Sequence, residues 1–226
     1  MISSLYHIIE ARLQMGTSLQ WRQFGRLGPR IDAIATPPLT PQYPPSFQCF
    51  LDEGYSEKSA NKLAKQLHSI CERSTNIAFL CCPTAFVAFQ HMKRLENVKL
   101  LEYDQRFAVL SPKQFIPYDI DEPEDIPEYL HGKVEIAVAD PPFLNEVTNT
   151  KLRATLRKIL HPTKGRLILL TSTSVEEILE KLYDVPPYGP LRRTAFDPEH
   201  GQLANSFACW GSWEGAEKFG RKEGEQ

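Results

Sequence analysis

The chain of 226 residues is long enough for one sizeable core and too short for two comfortable ones. Its 42% hydrophobic and 24% charged content is globular, and no apolar run approaches a membrane span, so a cytoplasmic protein without membrane contact is expected. A net charge of −2 offers no excess of positive charge for a nucleic-acid backbone, and five cysteines without a CxxC pair or zinc-like His/Cys spacing imply reduced thiols and no metal site.

Leu5, Ile8, Ile9 and Leu13 repeat at helical spacing among arginines that outnumber the acids of residues 1–32. The segment reads as a peripheral helix, with a mitochondrial targeting segment as the alternative. TPPLTPQYPP (36–45) cannot sit inside a helix or a central strand, which makes it an extended linker. The expected organisation is therefore residues 1–45 as helix and linker, one domain over 46–213, and a polar, glycine-bearing tail at 214–226 that should fray.

Between linker and tail the pattern alternates. Residues 55–71 place Ala60, Leu63, Ala64, Leu67 and Cys71 on one helical face, with Ser56 as cap. NIAFLCC (76–82) predicts a buried strand stopped by Pro83, and 86–95 a helix. VKLLEYD (98–104) is a strand ending in acids, and 114–120 a short strand broken by Pro117. VEIAVAD (134–140) is an apolar strand, 148–160 a helix ended by His161-Pro162, and 166–172 a further strand. Residues 174–183 form a helix capped by Ser174, and 192–197 and 206–213 close the chain as two strands suited to a hairpin. Strands alternating with helices predict an α/β fold with a mostly parallel sheet, whose ligands bind at the carboxyl ends of the strands.

One such end carries VADPPFLNE (138–146). Two prolines without N–H groups stiffen the turn, so the Asp140 carboxylate and the carbonyls of Pro141 and Pro142 become fixed acceptors beside the flat ring of Phe143. Such a cradle suits a nitrogen that donates hydrogen bonds and carries a planar or aliphatic tail. The plain alternative is a strand terminator whose acid caps the next helix. Cys81-Cys82 is likewise open to a redox reading, although neighbouring strand residues point to opposite faces.

The acid-Pro-Pro-aromatic motif after the fourth strand resembles the amino-methylating S-adenosylmethionine-dependent methyltransferases. LEYDQRFAVL (101–110), VADPPFLNE, GRLILLTS (165–172) and QLANSFACW (202–210) together resemble one eukaryotic family. It was first labelled N6-adenine-specific methyltransferase-like and is identified with lysine methylation of translation elongation factor 1-alpha. The likeness covers roughly residues 50 to 213.

The resemblance implies a seven-stranded, Rossmann-like class I methyltransferase fold with a C-terminal antiparallel hairpin, and S-adenosyl-L-methionine as cofactor. It assigns Cys82 and Pro83 to the turn that is glycine-rich in most such enzymes. An acid at the end of the second strand would hold the ribose hydroxyls. Glu102 and Asp104 both qualify, and Asp104 is favoured as nearer the strand tip, with pairing to Arg106 as its alternative role. Asp119 would accept from the adenine amino group, and Tyr55 and Ser56 would lie against the methionine part. The substrate expected is a protein lysine, on elongation factor 1-alpha. The acidic run DIDEPEDIPEYLHG (119–132) suits a basic protein partner. The alternatives are an adenine of DNA or RNA, and a catalytically inactive binding subunit suggested by the missing glycines.

Overall fold

The computed structural model describes residues 56–199 and 206–221. The expectations for the first 45 residues and for Tyr55 lie outside these.

Among the described residues, Ser56 opens the first helix, α1 (Glu57–Ile70), its hydroxyl accepting from the Ser59 N–H at 3.2 Å. The apolar stripe of α1 is buried through Ala60, Leu63, Ala64 and Leu67. It is followed by β1 (Ile77–Leu80), every residue of which is buried. The next helix, α2 (Pro83–Met92), begins three residues before the predicted start. Pro83 does not only stop the strand: at the first helical position its missing N–H is one that no helix could satisfy.

Next come β2 (Val98–Glu102) and the short β3 (Phe115–Pro117). After β4 (Ile136–Ala139), helix α3 (Glu146–Ile159) starts two residues earlier than the apolar periodicity suggests. The reason is Asn145, whose side chain accepts from the Thr148 N–H at 2.9 Å. Strand β5 (Arg166–Ser172) coincides with its predicted span.

The cap assigned to Ser174 falls elsewhere. The Ser172 hydroxyl accepts from the Ser174 N–H at 3.1 Å, so it caps a 3-10 turn at Thr173–Val175. Helix α4 (Glu176–Leu182) then follows without a side-chain cap. Only Arg192–Arg193 of the predicted 192–197 strand forms β6, which pairs with β7 (Phe207–Gly211).

The sheet has seven strands in the order β3-β2-β1-β4-β5-β7-β6. All pairings among β1 to β5 are parallel, while β7 runs antiparallel to both β5 and β6. The hairpin expected from the sequence is present, with β7 inserted between its partner and the parallel block. This is the class I methyltransferase topology. Its two faces follow from strand alternation. Ala78, Leu80, Ala137, Ala139, Leu167 and Leu169 form one core with α3 and α4. Phe79, pointing the other way, meets Phe86 and Phe89 of α2, on whose far side α1 stacks His68 against Phe89.

The tail is a correction over the residues described. Ala216 and Phe219 are buried, and the Phe219 ring meets both Phe196 and Trp213. Gly220, at φ +92°, passes so close to the Phe196 backbone that a Cβ would lie 2.5 Å from it. Polarity of the segment concealed two anchoring side chains.

Candidate active site at the carboxyl edge of the sheet

Register brings three sequence-distant residues into line. Leu80 pairs with Leu101 on one side and Ala139 on the other. The next residues along, Cys81, Glu102 and Asp140, therefore share one level across β2, β1 and β4. Two backbone bonds extend the ladder to that level: the Cys81 N–H donates to Leu101 O at 3.0 Å, and the Asp140 N–H to Leu80 O at 3.1 Å. Adjacent strands are roughly 4.8 Å apart, so the Glu102 and Asp140 backbones stand about 10 Å from each other. Strand order reverses on either side of β1, and ligands of open α/β sheets bind in the crevice formed there.

At β1 the chain leaves the sheet through Cys81, the one non-glycine residue with positive φ (+53°) among those described. Most L residues avoid that conformation, and glycine is its usual occupant. The turn thus has a glycine-like path built from cysteine, which a search for glycines overlooks. Cys82 follows as the N-cap of α2, buried and without a side-chain cap bond, ahead of Pro83. Burial raises both thiols well above the usual value, and the nearby Glu102 and Asp140 carboxylates raise them further. Protonated thiols are poor nucleophiles, which counts against redox chemistry at this pair.

At β2 the two candidate acids separate. The strand ends at Glu102, and Asp104 lies beyond it, capping the 3-10 turn Gln105–Val109. The Asp104 carboxylate is occupied by Arg106, whose Nε donates to its two oxygens at 2.8 and 2.9 Å. Pairing, the alternative foreseen for Asp104, is what the fold contains. Glu102 is different. It is buried, its Oε1 accepts from the Asp104 N–H at 3.1 Å, and its Oε2 has no hydrogen-bond partner. Burial, opposed in part by that backbone N–H, pushes its pKa up to about 7. A buried acceptor without a partner costs free energy that a ligand hydroxyl would recover.

Between the two acids stands Tyr103, 71% exposed. No sequence pattern singles it out, since strand alternation alone does not say that the strand expected to reach Asp104 ends two residues earlier, at Glu102. It offers a flat ring next to Glu102. Asp119, two residues beyond β3, is partly exposed and accepts from the Asp121 N–H at 2.8 Å, which ties it into its own loop. Ser56 is committed to capping α1, and its own N–H donates to Glu199 O at 3.1 Å.

At β4, Asp140 does not cap the following helix, a task that Asn145 performs. Pro141 is buried, Pro142 is exposed, and Phe143 leaves 61% of its surface open. The ring is thus open to solvent on a turn stiffened by two prolines. Val147, in the first turn of α3, is likewise 63% exposed.

Comparison with known proteins gives this edge a context. The family model described as "Probable N6-adenine methyltransferase" matches residues 54–215. EEF1A lysine methyltransferase 1 of Danio rerio is 36% identical over 169 residues, covering 71% of this chain and 94% of the relative. Protein-lysine N-methyltransferase EFM5 of Saccharomyces cerevisiae is 32% identical over 176 residues, covering 71% of this chain and 69% of the relative. The human EEF1A lysine methyltransferase 1 is 32% identical over 160 residues, 69% of this chain and 70% of the relative. With its strand order, its strand-tip acids and DPPF turn inside the matched span, the chain belongs to this methyltransferase family.

Proposed function

We propose that the protein is an S-adenosylmethionine-dependent protein-lysine N-methyltransferase acting on translation elongation factor 1-alpha. The names of its relatives support the reaction and the substrate. The observation that carries the cofactor is the orphaned Oε2 of Glu102 at the tip of β2, which fits a ribose hydroxyl. Glu102 takes the ribose role in preference to Asp104, and the exposed Tyr103 ring covers the adenine. Asp119, Cys82, Pro83 and Ser56 take the remainder of the cofactor role. When bound, S-adenosylmethionine supplies an electrophilic methyl group on a sulfonium.

The chain's own residues have three tasks. A lysine ammonium has no lone pair, and its ordinary pKa of about 10.4 keeps it charged at neutral pH. Phe143 packs the aliphatic stem and excludes water, which disfavours the charged form. Asp140 and the Pro141 carbonyl accept the N–H bonds that remain, turning the nitrogen lone pair toward the methyl carbon. Alignment of this kind is the main lever a protein has when the cofactor holds the driving force.

Adenine N6 methylation is the rival, because an adenine would stack on Phe143 with its amino group at Asp140. The acidic loop 119–128 weighs against it. Asp121 and Glu124 pair with Lys151 and Lys158 of α3, whereas among the described residues Glu122 and Asp125 make no ion pair. Outward acids repel a phosphate backbone and attract a basic protein surface. The inactive-subunit reading loses its main support, since Cys81 adopts the backbone conformation for which a glycine would be needed.

Labelled cofactor offered to a cell extract, with and without nuclease, tests the proposal. Label in a protein band that resists nuclease is expected. Label that disappears with nuclease would assign the activity to nucleic acid.

A further inference from the structure

The face of α3 turned to the core holds an asparagine where leucine would pack at lower cost. Asn149 is fully buried. Asparagine is a weak helix former, and a buried amide is destabilising unless it is bonded. Its groups are taken up in one direction. The Asn149 side-chain amide donates to Asn145 O at 2.9 Å, and its backbone N–H donates to the same oxygen at 3.2 Å. Its Oδ1 accepts from the Tyr183 hydroxyl at 3.1 Å, which also lies 3.3 Å from the Asn149 carbonyl. Tyr183 ends α4 and is itself buried. Burial raises its pKa, so the hydroxyl remains a donor.

Asn145 closes the turn that Asp140 opens. Upstream, the turn is fixed by the Asp140 N–H on Leu80 O at 3.1 Å. Downstream, its last carbonyl is gripped twice by Asn149, which is in turn held from the neighbouring helix. The prolines between stiffen the path but cannot themselves donate to anything.

We propose that Asn149 and Tyr183 are positioning residues that set the Asp140–Phe143 turn at the distance the reaction requires; this rests on the function proposed above. A displacement of an ångström at a reacting group costs on the order of 10²-fold in rate. Both side chains are buried, so they act through the turn, and their contribution belongs to kcat, not to cofactor binding.

The test uses the full chain with both residues changed together, Asn149→Leu and Tyr183→Phe. Replacing both partners by apolar groups of similar shape leaves no buried polar atom stranded by a single change, so the fold is retained. Expected are a melting temperature within a few degrees of wild type and an unchanged cofactor dissociation constant. kcat on elongation factor 1-alpha should fall at least tenfold, and amide exchange should accelerate at residues 143–148. Asn149→Ala alone, should the double variant fail to fold, must show the same faster exchange and the same split between kcat and cofactor affinity. Ile159→Val, at the other end of α3, should lower stability and leave kcat alone. Wild-type kcat in the folded variant, while Asp140→Ala is inactive, would overturn the inference and spare the function. Full activity in Asp140→Ala would remove both.

Discussion

The two ends of the parallel sheet are built to different standards. At the amino end, polar groups are satisfied from within. The Asn76 N–H donates to Glu135 Oε2 at 3.0 Å, while Asn76 O receives the Glu135 N–H at 2.8 Å. The Ser212 hydroxyl takes the Leu167 N–H and donates to Pro187 O, and the Arg166 guanidinium sits over the Trp213 ring. At the carboxyl end, a buried carboxylate oxygen lacks a partner, a cysteine holds a left-handed backbone, and two aromatic rings stand in the open. A cleft of about 760 Å³ lies at the amino end, lined by Glu135, Arg166 and Trp213 among others. A cleft is therefore not peculiar to the carboxyl edge, whereas the unpartnered Glu102 oxygen lies there.

The contrast is broken most severely at β4. Asp140→Ala should lower kcat on the order of 10²-fold or more, with a melting temperature close to wild type, as measured by methyl transfer and thermal unfolding. Phe143→Ala should raise KM for the protein substrate more than the cofactor dissociation constant, and Phe143→Tyr, which keeps the ring, should be tolerated.

Glu102 gives an effect of opposite sign on stability and binding. Glu102→Gln should weaken cofactor binding by ~1.5–3 kcal/mol, the range for a hydrogen bond to a charged group. In the unliganded protein the folded pKa, about 7, lies above the ordinary value of 4.5. The carboxyl is then neutral and tolerated below pH 4.5, and its stabilising difference is lost as pH rises through 7. Above that window burial of the charge costs a few kcal/mol. Glu102→Gln should thus raise the melting temperature at pH 8 and leave it unchanged near pH 4. Cofactor affinity of the wild type should fall as pH drops below 7, because the ribose hydroxyls donate to the ionised form. Calorimetry across pH checks both, and Asp104→Ala should leave the affinity nearly intact.

The amino end supplies the converse. A Cβ at Gly165 would meet His161 O at 2.5 Å. Gly165→Ala should cost ~1–3 kcal/mol in denaturant unfolding, as overpacking does, and leave kcat unchanged. The smallest effect belongs to the acidic loop. Neutralising Glu122 and Asp125 should reduce kcat/KM on elongation factor 1-alpha a few-fold at low salt and little at high salt, by screening. Changing Asp121 and Glu124 should do less for capture, since both already pair with α3.

What the sequence made legible was whatever depends on periodicity and punctuation. Strands β1, β2, β4, β5 and β7 were visible as apolar runs, and the DPPF turn as a stiffened exit from one of them, whereas only two exposed arginines of the 192–197 segment joined the sheet. Less visible was where each strand stops. Two acids two residues apart look equivalent until the fold ends β2 at Glu102 and turns Asp104 toward Arg106. Tyr103 was missed for the same reason. Cys81 conveys nothing of its φ in one-letter code, and Asn149 looks like a surface residue until Tyr183 is placed against it. These are tertiary facts: they depend on what the neighbouring element contributes.

The most direct measurement mixes purified protein, labelled S-adenosylmethionine, purified elongation factor 1-alpha and total cellular RNA and DNA in one reaction, with Asp140→Ala in parallel. Incorporation on a lysine of the elongation factor, located by mass spectrometry and absent from the variant, is the predicted result. Incorporation into nucleic acid with none on the protein, or equal labelling by Asp140→Ala, would contradict it.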